Sequence, residues 1–117
     1  MKINKEEVLA KMELGQAVLI NVLSKDDYRK LRIKGSKNQY FDNDDAAAFS
    51  KDVEAAYGKD KSFIVYGDHF GHLQSFEAAQ ALKAHGLKVV NYAGGVQEWY
   101  KSGYPVEGTQ VNNAGGE

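Results

Sequence analysis

The sequence of 117 residues contains no cysteine, so the chain has no thiol that could act as a nucleophile. It also has no excess of one charge, because 15 basic and 16 acidic residues give a formal net charge of −1, which provides no electrostatic footprint for nucleic acid. No apolar run approaches the roughly 20 residues that a membrane-spanning helix needs. No export signal is recognisable and the lack of cysteine does not indicate a redox compartment, so a cytoplasmic location is the default expectation.

The end of the sequence has little that could build a core. From Gly108 to Glu117 it is polar, rich in glycine and without apolar periodicity, which predicts a disordered tail. No repeat or linker divides the preceding part, and its length suffices for one hydrophobic core without disulfides. We therefore expect one domain over residues 1–107 and a disordered C-terminal tail over residues 108–117.

Strands and helices are predicted to alternate along the domain. The predicted strands cover 17–23, 37–41, 63–66 and 88–92. The predicted helices cover 5–14, a short segment after Ser24, 44–57, a segment from Ser75 to the stop at Gly86, and 96–102. Alternation of this kind indicates an α/β fold in which helices cover a parallel sheet.

Two of these helices have predicted buried faces. Apolar spacing in the helix 44–57 assigns to its inner face Phe49, Val53, Ala56 and Tyr57. Ser75 is the predicted cap of the following helix, whose apolar side is assigned to Phe76, Ala79 and Leu82. The acidic run 42–45 is interpreted as capping of a helix start rather than as a cation site.

The segment from Lys61 to His85 is predicted to form a strand, a loop and a helix. Its strand has the aromatic and β-branched composition of a buried strand, and the loop from Gly67 to Gln74 is expected to curl over the carboxyl end of that strand. Backbone N–H groups and a helix dipole converge at such a place in an open α/β sheet, so ligands commonly bind there. This loop is therefore the predicted functional site.

This segment resembles the active-site segment of the rhodanese-like domains. The resemblance continues in Val89-Val90-Asn91-Tyr92-Ala93-Gly94-Gly95-Val96-Gln97-Glu98-Trp99 and in Gly103-Tyr104-Pro105, which are similar to that family's paired-glycine turn, tryptophan helix and closing Gly-Tyr-Pro. The resemblance implies a three-layer rhodanese-like fold with a mostly parallel central sheet flanked by helices. It also implies kinship with thiosulfate sulfurtransferases.

In rhodanese-like enzymes the strand ends in Tyr-Cys, and the cysteine takes sulfur as a persulfide held by loop amides. Here Gly67 follows Tyr66, and counting with the family's shorter loop places the nucleophile position at His69 instead. Neither residue can carry a sulfane sulfur through that cycle, so a persulfide mechanism on this chain is excluded. The family's Asp-Val-Arg is Asn21-Val22-Leu23 here, and its arginine before the helix serine is Gln74.

No catalytic residue is therefore assigned, and the predicted binding loop comprises Gly67, Asp68, His69, Phe70, Gly71, His72, Leu73, Gln74 and Ser75. Asp68, His69 and His72 have a spacing that a divalent metal can use, but the spacing alone is weak, and we predict neither a metal site nor a cofactor. The alternative is that these side chains rim the loop pocket while Phe70 covers it.

Two functions are compatible with this sequence. In the first, an inactive rhodanese-like domain is a binding or regulatory module for a protein partner or a small anion, which the loop amides would hold. In the second, an enzyme of this fold uses His69 or His72 as a base or as a ligand of a weak metal site. The first is favoured because the second needs a further catalytic group that the sequence does not identify.

Overall fold

The computed structural model describes residues 2–111, and these residues form alternating strands and helices. The strands are β1 (Val18–Asn21), β2 (Arg32–Ile33), β3 (Lys37–Asn38), β4 (Ser62–Tyr66), β5 (Lys88–Tyr92) and β6 (Val106–Glu107). The helices are α1 (Lys5–Glu13), α2 (Lys25–Lys30), α3 (Ala46–Tyr57), α4 (Gln74–Ala84) and α5 (Gly95–Lys101), with a 3-10 turn at Asn43–Asp45.

The central sheet consists of four parallel strands in the order β3, β1, β4, β5. Its register places Asn21 beside Tyr66 and Tyr66 beside Tyr92, so β1, β4 and β5 end at the same level. The segments that follow these strands therefore meet at one edge of the sheet, where the predicted functional loop lies. A second, antiparallel pair of β2 and β6 was not predicted, because two residues per strand are too few to show alternation.

Each face of the sheet has its own hydrophobic core, because successive side chains of a strand point to opposite faces. Ile20 and Val65 pack with α3 and α4 on one face, and Leu19 and Ile64 pack with α1 and α5 on the other. The largest fully buried side chain is Trp99 of α5. This arrangement confirms the predicted α/β fold with a parallel sheet between two layers of helices.

The start of α4 differs from the prediction. Leu73 occupies the cap position, without a side-chain cap, and Ser75 is buried inside the first turn of the helix. The buried side runs through Ser75, Ala78 and Leu82, so Phe76 lies about 100° around the helix and is 46% exposed. The small side chains of Ser75 and Ala78 let the helix lie close to the sheet, which a phenylalanine at the same place would prevent.

The inner face of α3 also differs from the prediction at two positions, Ser50 and Ala56. Phe49, Ser50 and Val53 are buried, whereas Ala56 is exposed. The acidic run 42–45 was predicted to cap a helix start, and its first residue does so. The Asp42 carboxylate accepts the Asp44 N–H at 3.0 Å.

The first residues of the predicted tail pack against the domain. Gly108 is buried next to the backbone of Lys30, and Val111 packs against the core on the α1 and α5 face. Residues 112–117 lie outside the described residues, so disorder there stays a prediction. None of the helices in the described part is long and apolar enough to span a membrane.

Candidate functional site

The loop leaves β4 at Gly67, which is buried at the base of the site. A Cβ atom added there would lie 3.8 Å from the Ser75 Cβ and 3.9 Å from methyl groups of Val22 and Leu23, which are ordinary contacts. His69, in contrast, is exposed at the crest of the loop. The two positions considered for the nucleophile therefore lie at different depths, and Gly67 is the one at the strand end.

The first residues of the loop are fixed to the start of α5. The Gly67 carbonyl accepts the Val96 N–H at 3.0 Å, and the Asp68 carbonyl accepts the Gln97 N–H at 2.9 Å. The approach is close enough that a Cβ on Gly95 would lie 2.6 Å from the Asp68 carbonyl, and Gly95 has a φ of +69°. Glycine at this position is therefore required for the contact.

Gln97 is a site residue that the sequence prediction did not include. Its Nε2 donates to the Asp68 Oδ1 at 3.2 Å, in addition to its backbone contact with the loop. The paired glycines before it mark the close approach in the sequence, but they do not identify the side chain that uses it.

Asp68, His69 and His72 lie close together in the loop. The Asp68 Oδ2 lies 2.7 Å from the His69 Nδ1, and the His69 and His72 rings stack with centroids 5.4 Å apart. Within residues 2–111, no group of three or more His, Cys, Asp or Glu side chains is arranged to hold a metal ion. His85 lies elsewhere, with its Nε2 2.6 Å from Glu54 Oε1.

An imidazole oriented by a carboxylate can act as a general base. Among the described residues, however, no hydroxyl group is hydrogen-bonded to the ring of His69. Ser75 does not fill that role, since it is buried in α4. The histidine pair thus lacks a nucleophile to activate.

The crest of the loop presents apolar side chains. Phe70 and Leu73 are each 62% exposed, and Phe76 follows them on α4. Phe70 is therefore mostly in contact with solvent, and whether it covers a pocket in the manner of the sequence interpretation stays a prediction. Large exposed apolar groups that cluster on a surface are typical of contact sites.

A fully bonded polar network lies beneath the loop. The Tyr66 hydroxyl accepts hydrogen bonds from Asn21 Nδ2 at 2.9 Å and from the Ile33 N–H at 3.0 Å. Ser36 Oγ lies 2.7 Å from the same hydroxyl and donates to the Ile33 carbonyl, so the Tyr66 hydroxyl donates to Ser36. Burial raises the pKa of Tyr66 to about 12.

A family model described as the rhodanese-like domain matches residues 4–102 of the chain. The chain belongs to the rhodanese-like domain family. A search of curated proteins gives no match.

Several solved structures share the fold of this rhodanese-like domain. A protein from Bacillus halodurans is 19% identical with a TM-score of 0.81, and the match covers 93% of this chain and 77% of that one. A protein from Lactobacillus plantarum is 24% identical with a TM-score of 0.76, covering 91% and 86%. The rhodanese-like domain of an Anabaena protein is 19% identical with a TM-score of 0.78, covering 94% and 80%.

Two positions where this rhodanese-like domain departs from the family pattern have structural uses. Asn21 is buried, and besides its bond to Tyr66 its Oδ1 accepts the Leu23 N–H at 2.9 Å. Gln74 Nε2 donates to the carbonyl groups of Val22 at 2.9 Å and Phe41 at 3.0 Å. Both side chains therefore hold backbone groups near the strand ends, and neither supplies charge to the loop.

A cavity of about 260 Å³ opens at the carboxyl ends of the strands, beside the loop. Its ionisable side chains are Asp27, Asp68, Lys30 and His72. Two carboxylates against one lysine make this part of the rhodanese-like domain a poor environment for an anion.

Proposed function

We propose that this protein is a non-catalytic rhodanese-like domain that acts as a binding module, with the loop 67–75 as its contact surface for a partner protein. One observation carries the proposal. Where the family's enzymes hold a reactive cysteine, this loop has Gly67 at its base and exposes Phe70 and Leu73 at its crest.

The enzymatic alternative needs groups that the loop does not bring together. A persulfide requires a thiolate, and the sequence contains no cysteine. Catalysis by His69 as a base would require a nucleophile or an activated water beside it, and its only side-chain hydrogen bond in the described part of the chain is to Asp68. We therefore favour binding over chemistry.

A protein partner is favoured over a small anion at the loop. The apolar crest offers the side chains that protein contact sites use, since aromatic residues are enriched there. A small anion would have to enter beside the carboxylates of Asp27 and Asp68.

We expect the protein to act in the cytoplasm and without a cofactor.

The absence of sulfurtransferase activity is tested directly. Thiosulfate and cyanide are supplied to the full chain, and thiocyanate is measured against a sample without protein. We expect no turnover above that background. Clear turnover would overturn the non-catalytic part of the proposal, because it would show a sulfur carrier other than a thiol.

The contact surface is tested by affinity capture from the native host. A Phe70→Ser/Leu73→Ser variant is compared with the wild type and with a Leu14→Ser variant, since Leu14 is exposed elsewhere at 69%. We expect a partner to be retained by the wild type and by Leu14→Ser but lost from the loop variant. Equal capture by all three proteins would place the contact on another surface.

A further inference from the structure

A groove of about 420 Å³ is lined by the loop and by the segment before α1, which pairs with β5 where the Ile3 N–H donates to the Asn91 carbonyl at 3.2 Å. The loop and the start of α4 contribute Phe70, Leu73 and Phe76 to its lining, and the segment before α1 contributes residues 2–4. The size and the mostly apolar lining are those of a site for a small molecule.

One buried polar group in this groove has no partner. Asn91 is only 6% exposed, and its Oδ1 is the single buried side-chain nitrogen or oxygen atom without a hydrogen bond in the described part of the chain. Asn91 pairs with Val65 in the sheet register, so its side chain lies on the α4 face of β5, where Phe76 also lines the groove. Buried acceptors are nearly always satisfied, so a donor from outside the chain is expected here.

The groove also contains a cationic side chain without an ion-pair partner among residues 2–111. Lys2 and Lys5 line it together with Glu98, so two cationic groups face one carboxylate. The Glu98 Oε1 already accepts the Tyr92 hydroxyl at 2.7 Å, and Lys5 Nζ lies 3.4 Å from Glu6. Among residues 2–111, Lys2 takes part in no ion pair, which leaves it for an anionic group of a ligand.

We propose that this groove binds a small monocarboxylate that has an aromatic or similarly apolar body and a hydrogen-bond donor. The donor meets Asn91 Oδ1, the body packs against Phe76 and Leu73, and the carboxylate lies near Lys2. This inference goes beyond the proposed function, because it concerns a small-molecule ligand of the groove rather than the protein partner of the loop.

Three related probes separate the contributions of the hydrogen-bond donor and of the carboxylate to binding in the groove. 4-Hydroxyphenylacetate has the donor, the ring and the carboxylate; 4-fluorophenylacetate lacks the donor; 2-(4-hydroxyphenyl)ethanol lacks the charge. Each is titrated into the full chain while amide resonances are followed by NMR. We expect the shifts to be largest at groove residues, with 4-hydroxyphenylacetate binding about five- to tenfold more tightly than either analogue.

Variants of the protein test whether Asn91 binds the donor of the ligand and Lys2 its carboxylate. Asn91→Leu should weaken binding of 4-hydroxyphenylacetate about five- to tenfold and leave 4-fluorophenylacetate unchanged. Lys2→Gln should weaken both carboxylates and leave the alcohol unchanged, whereas Leu14→Ala should change nothing. If Asn91→Leu fails to fold, the comparison of probes on the wild type still decides the question.

The contrary results are equally definite. Equal affinity of the hydroxy and fluoro probes would mean that a bound water satisfies Asn91, and would overturn the proposal. Shifts confined to residues outside the groove, or no shifts at all, would also overturn it. Leu73 lines the groove as well as the loop surface, but neither result decides whether a partner protein binds, because capture of that partner is measured without the probes.

Discussion

The base and the crest of the loop differ in how strongly the rest of the domain fixes them. At the base, the Tyr66 hydroxyl makes three hydrogen bonds and the Gly67 and Asp68 carbonyls are bound by the start of α5. At the crest, Phe70 and Leu73 are mostly exposed, and His69 bonds to its neighbour Asp68. The base belongs to the core of the fold, whereas the crest contacts mainly solvent.

This difference explains how the domain can keep its fold without the family's nucleophile. Substitutions at the base must satisfy buried polar groups, and Asn21 does so as a neutral residue. Substitutions at the crest have few contacts within the domain to disturb, so they can occur with little loss of stability. Absence of a cysteine and retention of the scaffold are therefore compatible.

The largest expected effect on stability comes from removing Trp99, the side chain that packs α5 against the domain. The start of α5 in turn bonds to the base of the loop. Trp99 is 2% exposed, stacks edge-on with Tyr92 and Tyr104, and donates from Nε1 to the Pro105 carbonyl at 2.8 Å. Trp99→Ala should lower the free energy of unfolding by about 3–5 kcal/mol, measured by chemical denaturation. Trp99→Phe is the control and should lose less; an unchanged midpoint for Trp99→Ala would contradict the role of this helix.

The second-largest effect is expected from alkaline pH, which should destabilise the part of the fold at the base of the loop. Tyr66 has a raised pKa of about 12 in the folded state against 10.0 for an ordinary tyrosine, so folding favours its protonated form. The resulting stabilisation is complete below pH 10 and is lost as the pH rises to 12, which amounts to about 2–3 kcal/mol.

The measurement compares unfolding free energies of the wild type and Tyr66→Phe between pH 9 and 12. Other groups titrate in both proteins, so only the difference between the two reports on Tyr66. That difference should shrink as the pH rises. A constant difference would mean that the hydroxyl ionises as easily in the folded protein as in the unfolded chain.

Tyr66→Phe itself should be destabilising near neutral pH. The substitution keeps the ring but leaves Asn21 Nδ2, the Ile33 N–H and Ser36 Oγ without their common partner. We expect a loss of about 1–3 kcal/mol in the free energy of unfolding, by denaturant titration. Tyr40→Phe is the matched control, since Tyr40 is 54% exposed and should tolerate the change. Equal effects of both substitutions would contradict the network.

The sequence predicted the fold well because strong local signals and the tertiary structure agree. The predicted strand 88–92 matches β5, and the predicted helix 5–14 matches α1, which Asn4 caps by accepting the Glu7 N–H at 2.9 Å. The prediction failed where packing outweighed local preference. Ser75 has the side chain of a cap, yet its small size at the contact with the sheet places it inside α4.

The site was predicted less completely than the fold. Its residues 67–75 form one loop and helix start, as expected, but the sequence does not show which of their side chains point away from the domain. Gln97 and Asn91 were missed because each is remote in sequence and matters only through contacts across the sheet edge. The periodicity of apolar residues predicts which side of one helix or strand is buried. It carries no information about contacts between side chains of different elements.

The smallest expected effect, and the sharpest test of the contrast, is at the crest. Phe70→Ser should change the free energy of unfolding by no more than about 0.5 kcal/mol, because its side chain is 62% exposed and has little apolar contact to lose. His69→Ala should behave alike, since its hydrogen bond to Asp68 is at the surface. Both are measured by denaturant titration beside Tyr66→Phe. A loss at Phe70 as large as that at Tyr66 would show that the crest is part of the core, and the distinction between a fixed base and a free crest would then be wrong.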